Sequence, residues 1–257
     1  MATRVLSSAK ISAANANIAL SEKLLINKLK LWWTTKNLLI IRPKFPNDNY
    51  TSLFSFQACE AVKTKAIAEG WNVTDLQLND TNRANVTQTI NTKPFDFVIH
   101  YDHGGDFVMC GQHNNAFENA IDNNNVDLLK GKAASTVSCD TAIGLGPLAV
   151  TSGARAYMGY HDLHWVYFAW TSQFTEASNA ANFALLEGKT FQEAFNTAYT
   201  IYTQKYQQIL NGGDSVAAAA MLHNRDCLSL LGDPNAKAIG RHSIFELVAT
   251  PIIAASP

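Results

Sequence analysis

The 257 residues are 47% hydrophobic, 10% aromatic and 16% charged, with 20 Lys plus Arg against 21 Asp plus Glu. That length suits one large α/β domain or two small ones and can bury a sizeable core. The net charge of -1 excludes the basic excess of a nucleic-acid binder, and no apolar run of about 18 residues is present to span a membrane.

Four cysteines, Cys59, Cys110, Cys139 and Cys227, have irregular spacing and no C-x-x-C pair. That argues against a thiolate zinc site and against a disulfide framework. The opening MATRVLSSAKISAANANIAL contains an Arg but no continuous apolar segment of the secretory type, so the expected location is cytoplasmic.

Residues 1–36 place Ile18, Leu25, Leu29 and Trp32 at helical spacing, which predicts an N-terminal helical extension before a domain over 37–257. From Asn37 the pattern becomes alternating strand and helix. NLLIIRP (37–43) reads as a buried strand stopped by proline. Residues 52–69 read as a helix closed by Gly70. WNVTDLQL (71–78) reads as a second strand, 82–91 as a helix and FDFVIHYD (95–102) as a third strand. A polar loop and a short helix follow. AASTVSC (133–139) is a fourth strand and ARAYMGY (154–160) a fifth. Helical stretches cover roughly 166–187, 190–210 and 214–222, and CLSLLGDP (227–234) is a short apolar segment ending in a turn. Strands alternating with helices predict a parallel sheet covered on both faces.

Ligands bind such sheets outside the carboxyl ends of the strands. The third strand delivers His103 and Gly104 there, the fourth Cys139 and Asp140, the fifth His161 and Asp162. A His and a Cys at two strand ends make a base and a nucleophile. Adjacent strands lie about 4.8 Å apart, so the two side chains can converge if the strands are neighbours. The backbone N–H groups of Gly104 and Cys139 can serve as oxyanion donors.

FVIHYDHGG followed by STVSCDT, with His103 and Cys139 separated by 36 positions, resembles the caspase–hemoglobinase clan of cysteine peptidases, which includes caspases, legumains, clostripain, separases and gingipains. The separation is most similar to the gingipain-like and bacterial caspase-like branch. GARAYMGY and LSLLGDPNAKA resemble the strand after the cysteine block and the closing segment of that branch. The resemblance covers about residues 37–240. It implies a three-layer α/β/α caspase-like fold with a mostly parallel sheet of about six strands, and a Cys139–His103 dyad acting through an acyl-enzyme. It implies a protein or peptide substrate, no metal and no cofactor, and leaves the oligomeric state open. Strand geometry turns Asp102 away from His103, so Asp102 receives no role.

The resemblance also locates the specificity pocket, between the loop after the first strand, the residues flanking the cysteine and the loop after the fifth strand. Asp48, Asp140, His161, Asp162 and Trp165 are the candidates for substrate contact. Acids there favour Arg or Lys before the scissile bond, while Arg42 or Lys44 would favour an acidic residue.

Cys110 is a competing thiol without a strand to place it. His113, His161, His164 and Asp162 lack a strong metal-ligand spacing. Two other readings stand beside the peptidase. One is a non-catalytic caspase-like binding or regulatory module. The other is a Rossmann-like nucleotide-binding protein, because Gly144 to Ala149 fits G-x-G-x-x-A and Asp162 follows 18 residues after Gly144. The second fails on the length left for a crossover helix.

Overall fold

The computed structural model describes residues 36–240 together with Leu20, Ser21 and Lys23, which are helical; the rest of the expected N-terminal helix, and the chain from 241, lie outside the described residues. Lys36–Gly240 forms one unit.

Strand β1 (Lys36–Arg42) turns Leu38 and Ile40 to one face of the sheet and Leu39 and Ile41 to the other, and each pair enters a different hydrophobic core. A strand covered on both faces needs an apolar residue at every position, so its sequence shows no alternation. Burying each of these side chains contributes roughly 1.5–3 kcal/mol, and Ile40→Ala is expected to cost about 2–5 kcal/mol.

The strands continue with β2 (Trp71–Gln77), β3 (Phe97–Tyr101), β4 (Gly104–Gly105), β5 (Val108–His113), β6 (Ala116–Asp122), β7 (Ala133–Val137), β8 (Ala156–Tyr160) and β9 (Leu228–Gly232). The main sheet has the order β2-β1-β3-β7-β8-β9. Its first five strands are parallel, and β9 runs antiparallel to β8.

Helices α1 (Thr51–Ala68), α2 (Arg83–Thr92), α3 (Leu145–Thr151), α4 (Thr171–Leu186), α5 (Phe191–Asn211) and α6 (Ser215–Cys227) divide between the faces. Helices α1, α4, α5 and α6 supply Phe54, Ala177, Ala198 and Ala217 to one core, while α2 and α3 supply Val86 and Leu145 to the other. The fold is therefore a three-layer α/β/α sandwich. Local chemistry sets several helix starts. Thr190 and Glu193 form a capping box at α5, Asp214 accepts the Ala217 N–H at α6, and Asn82 accepts the Asn85 N–H at α2. Among the described residues no helix is long and apolar enough to cross a membrane.

Two segments differ from the sequence reading. Where a polar loop and short helix are expected before β7, β4, β5 and β6 form a small antiparallel sheet followed by a 3-10 turn, Val126–Leu129. A bulge at Met109/Cys110 interrupts the alternation that would announce β5. The hairpin turn is Asn114-Asn115, both at positive φ (49° and 63°), as a two-residue type I′ turn requires. The second difference is α3, an unpredicted seven-residue helix. The glycines of the apparent nucleotide motif serve packing there. A Cβ on Gly144 would meet the Phe107 ring at 2.5 Å, and one on Gly146 would meet Leu231 at 2.7 Å.

Candidate functional site

Strands β3 and β7 are hydrogen-bonded neighbours, with Tyr101 opposite Val137. His103 and Cys139 each lie two residues beyond that pair. The Asp102 N–H still donates to the Val137 carbonyl at 3.3 Å, so both chains leave the sheet together. Gly104 sets how closely they run. A Cβ there would lie 2.8 Å from the Cys139 carbonyl oxygen, 2.8 Å from Ser138 Oγ and 2.7 Å from Thr141 Cγ2. Any side chain at 104 would wedge the histidine and cysteine segments apart.

His103 is held from two sides. Its Nε2 lies 2.6 Å from Asp48 Oδ2, in the loop between β1 and α1. The Phe117 ring stands edge-on to it at 5.1 Å, and Phe45 lies at 5.9 Å. A carboxylate only accepts, so Nε2 carries a proton in the bond to Asp48, and the neutral tautomer compatible with that bond has its lone pair on Nδ1. Nδ1 has no hydrogen-bond partner among the described residues. Burial opposes ionisation of Asp48, but the bonds from His103 and from the Tyr50 N–H outweigh it and hold the carboxyl below its usual range.

Asp102 does not point away as strand geometry predicts. Its φ of 138° breaks the alternation. Oδ1 accepts the His103 N–H at 2.7 Å and lies 3.6 Å from His103 Nε2, while Oδ2 accepts the Ser52 hydroxyl at 2.6 Å. Burial pushes this carboxyl up to about 6 against those bonds.

Cys139 is half-buried, and its Sγ accepts the His164 N–H at 3.4 Å. Burial raises the thiol, and the charges of Asp140 and Asp162 raise it further. The N–H groups of His164 and of Cys139 itself oppose them. Cys110, the competing thiol, is pushed up to about 12, first by burial and then by Asp102 and Cys139. Beside the site His100 is fully buried, with Nε2 2.8 Å from the Cys110 carbonyl and Nδ1 3.0 Å from Thr136 Oγ1. Burial lowers it to about 4, so the ring is neutral. The carbonyl accepts from Nε2–H, and the Thr136 hydroxyl therefore donates to Nδ1. Ser138 Oγ extends this chain at 2.5 Å from Thr136.

On the other side of Cys139 the acids have no ion-pair partner among the described residues. Asp140, at φ 60°, is raised by burial first and then by Asp106 and Asp162. Its N–H donates to the Asp162 carbonyl at 3.3 Å. None of the three carboxylates forms an ion pair with Lys, Arg or His among the described residues. Asp106 went unnoticed in the sequence because it lies in the hairpin that was read as a loop.

The cations named as rivals are engaged elsewhere. Arg42 is buried, bonded to Asp75 and Glu60 and stacked 4.4 Å over Phe56. Lys44 Nζ lies 5.3 Å over the same ring. His161 bonds Ser229 Oγ at 2.8 Å. The Trp165 N–H donates to Asn224, leaving its side chain nearly half exposed. His164 Nε2 faces the Ser178 and Tyr202 hydroxyls. His161 and His164 thus point to separate partners and do not converge with His113 on a metal.

No protein-family profile and no curated protein matches the chain. Solved structures do. Gingipain R, an Arg-specific cysteine proteinase, matches over 80% of this chain and 48% of its own, with 14% identity and a TM-score of 0.55. The fold is that of the clan to which gingipains belong. A structure described as a protease matches at 12% identity over 77% of this chain and 48% of its own, with a TM-score of 0.45. An inactive zymogen of a C11 protease from Parabacteroides distasonis matches at 13% identity over 50% and 49%, with a TM-score of 0.34. These two similarities are too low to carry an argument. The chain spans about half the length of the structures it matches. The gingipain-like fold accounts for the mostly parallel six-stranded sheet and for the strand neighbours that bring the histidine and cysteine segments together.

Proposed function

We propose that the chain is a cysteine endopeptidase in which Cys139 attacks the peptide carbonyl and His103 moves the protons. One observation carries the reading. His103 and Cys139 leave adjacent strands in one register, with a glycine where the two segments touch. The fold shared with gingipain R supports it.

In this reading His103 Nδ1 takes the Cys139 thiol proton as Sγ bonds the carbonyl carbon. The carbonyl electron pair moves to oxygen, which the N–H groups of Gly104 and Cys139 receive. His103 then protonates the amine nitrogen as the C–N bond breaks, leaving an acyl-enzyme. Water gives a proton back to His103 and attacks the thioester, which frees the acid and restores the thiol. Asp48 keeps Nε2–H in place and balances the imidazolium charge. That makes it a positioning residue for His103 rather than a pocket wall.

Cleavage follows Arg or Lys. Asp162 and Asp140, with Asp106, form a negative site that no Lys, Arg or His pairs with among the described residues, flanked by His161 and Trp165. Asp140 and Asp162, after burial, raise the Cys139 thiol. A bound basic side chain cancels that field, so substrate binding favours the thiolate it needs. The test is cleavage of peptides differing only before the scissile bond, by wild type, Cys139→Ala and His103→Ala. Activity that survives Cys139→Ala at the wild-type level rejects the assignment. Covalent labelling of Cys139 by a substrate-like electrophile separates an enzyme from a binding module.

A further inference from the structure

The sulfur of Cys139 touches a backbone group from another part of the chain. His164 lies in the loop after β8, and its N–H donates to Cys139 Sγ at 3.4 Å. Residues Leu163 to Tyr167 have no regular secondary structure, so this backbone needs other partners to keep a direction.

The peptide unit between Leu163 and His164 is held at both ends. A peptide is planar and trans, so its C=O points opposite to its N–H. The Leu163 carbonyl accepts from His223 Nε2, on α6, at 3.0 Å, while the His164 N–H faces the sulfur. A carbonyl that accepts a bond makes the N–H of the same unit a stronger donor. One residue on, the buried Asn224 clamps Trp165. It accepts the Trp165 N–H at 2.8 Å and donates to the Trp165 carbonyl at 2.7 Å.

The His164 ring supplies a third hold. Its Nε2 lies 3.1 Å from Ser178 Oγ on α4 and 3.3 Å from the Tyr202 hydroxyl on α5. The Tyr160 ring stands edge-on to it at 4.6 Å, and the Tyr160 and Tyr202 hydroxyls are 2.7 Å apart. Burial, and after it His223, lower the ring to about 3, so it stays neutral and acts as a hydrogen-bonding group. At the thiol, burial raises the titration most. The His164 N–H is the largest opposing influence, ahead of the charges of Asp140 and Asp162, which raise it. A hydrogen bond to the charged form favours that form.

We infer that His164 is a positioning residue for the nucleophile: its ring, anchored on Ser178 and Tyr202, aims the Leu163–His164 peptide N–H at Cys139 Sγ and favours the thiolate there. The contribution to cleavage rests on the peptidase reading; the effect on the thiol does not.

The test is alkylation of Cys139 by iodoacetamide across pH in the full chain, read by mass spectrometry of the peptide that carries it. His164→Phe keeps a ring and loses the contacts of Nε2. It is expected to raise the midpoint by about one pH unit, which slows alkylation near neutral pH about 10-fold. His164→Gln, whose amide can still reach both hydroxyls, should fall between wild type and His164→Phe. An unchanged midpoint in His164→Phe, or a faster reaction, overturns the role, because a merely structural histidine would loosen the loop and expose the thiol. If His164→Phe does not fold, Tyr202→Phe removes one hydroxyl only and should shift the midpoint the same way by less; no shift there overturns the role too. In protein labelled with 15N-histidine, the His164 amide resonance should move as Cys139 ionises. The same movement in Cys139→Ala would overturn the contact. In cleavage assays His164→Phe should lower kcat about 10-fold and leave the preference for Arg over a neutral residue unchanged. Loss of that preference would mean that the ring only shapes the pocket, and rejects the assignment. A chain that cleaves nothing would sink the peptidase reading and leave alkylation and the amide resonance to decide the role of His164.

Discussion

Two acidic regions flank the half-buried Cys139, and they treat their carboxylates in opposite ways. Around His103, every acid has donors. Asp48 holds the ring at Nε2, and Asp102 takes the Ser52 hydroxyl and the His103 N–H. Across Cys139, burial raises Asp140, and the charges of Asp106 and Asp162 raise it further. A carboxylate with fixed donors orients its partner. A carboxylate whose neighbours are also acids keeps an unmet demand for a cation, and that demand is met only when one arrives. In the proposed peptidase the first region positions a base and the second selects a charge.

Removing the centre of the comparison should have the largest effect. Cys139→Ala is expected to lower kcat/KM on the order of 10⁴-fold or more, while Cys110→Ala leaves it near wild type because its raised thiol is not a nucleophile. The reverse pattern would move the reaction to Cys110. Next comes the positioning side. Asp48→Asn is expected to lower kcat by about 10²-fold with KM little changed. Asp48→Glu should restore part of the rate, and the pH profile of kcat should shift, since the charge that stabilises the imidazolium is gone. A rise in KM alone would return Asp48 to the substrate pocket.

The selecting side predicts a different signature. Asp162→Asn should cost an Arg substrate about 10- to 100-fold in kcat/KM, the worth of a charge-assisted hydrogen bond, and cost a neutral substrate far less. Equal losses would move the contact to Asp140 or Asp106. A preference for Asp before the scissile bond would overturn the charge assignment, although Arg42 is already bonded to Asp75 and Glu60. The comparison sharpens further with the thiol itself. Asp140→Asn removes one of the charges that raise Cys139, so alkylation by iodoacetamide near neutral pH should speed up several-fold even as basic substrates are lost. An unchanged alkylation rate would disconnect the acids from the nucleophile.

How much of this was legible in the sequence follows from the range of the interactions. The apolar run at 37–43 and the segment at 133–139 announced buried strands, and Gly188 and Gly212-Gly213 marked the bounds of α5. His103 and Cys139 were readable because their positions depend only on strand ends. Asp48 is legible as an acid of the loop after the first strand, but nothing in the spacing reveals its bond to His103 across 55 residues. Asp102 was misjudged because one residue at φ 138° cancels the rule that its side chain should alternate. The β5–β6 hairpin, which carries Phe117 beside His103, was missed behind the bulge at Met109/Cys110. Asn114-Asn115 was the available signal, since asparagine tolerates the positive φ that a two-residue hairpin demands.

The smallest expected effect concerns stability rather than rate, and it separates two histidines three residues apart. His103 sits beside a carboxylate at the surface of the site. His100 is sealed between Thr136 and the Cys110 carbonyl and is lowered to about 4. A histidine depressed in the folded state adds stability that is fully present above its unfolded value of about 6.5. That stability is lost as pH falls from there through about 4, because the unfolded chain takes up the proton first. The share of His100 is about 3 kcal/mol at neutral pH. Asp102, raised to about 6, works in the opposite sense: its contribution is present below about 3.8 and is lost as pH rises through about 6. The two slopes oppose each other across the same window, so the wild-type melting temperature should change less between pH 6 and 4 than either group alone dictates. Thermal melts of His100→Gln and Asp102→Asn take them apart. His100→Gln should be less stable at neutral pH but lose less on acidification, whereas Asp102→Asn should lose more. Parallel pH curves for wild type and both variants would mean that neither group is held away from its ordinary titration, and that the wall behind the site is open to water.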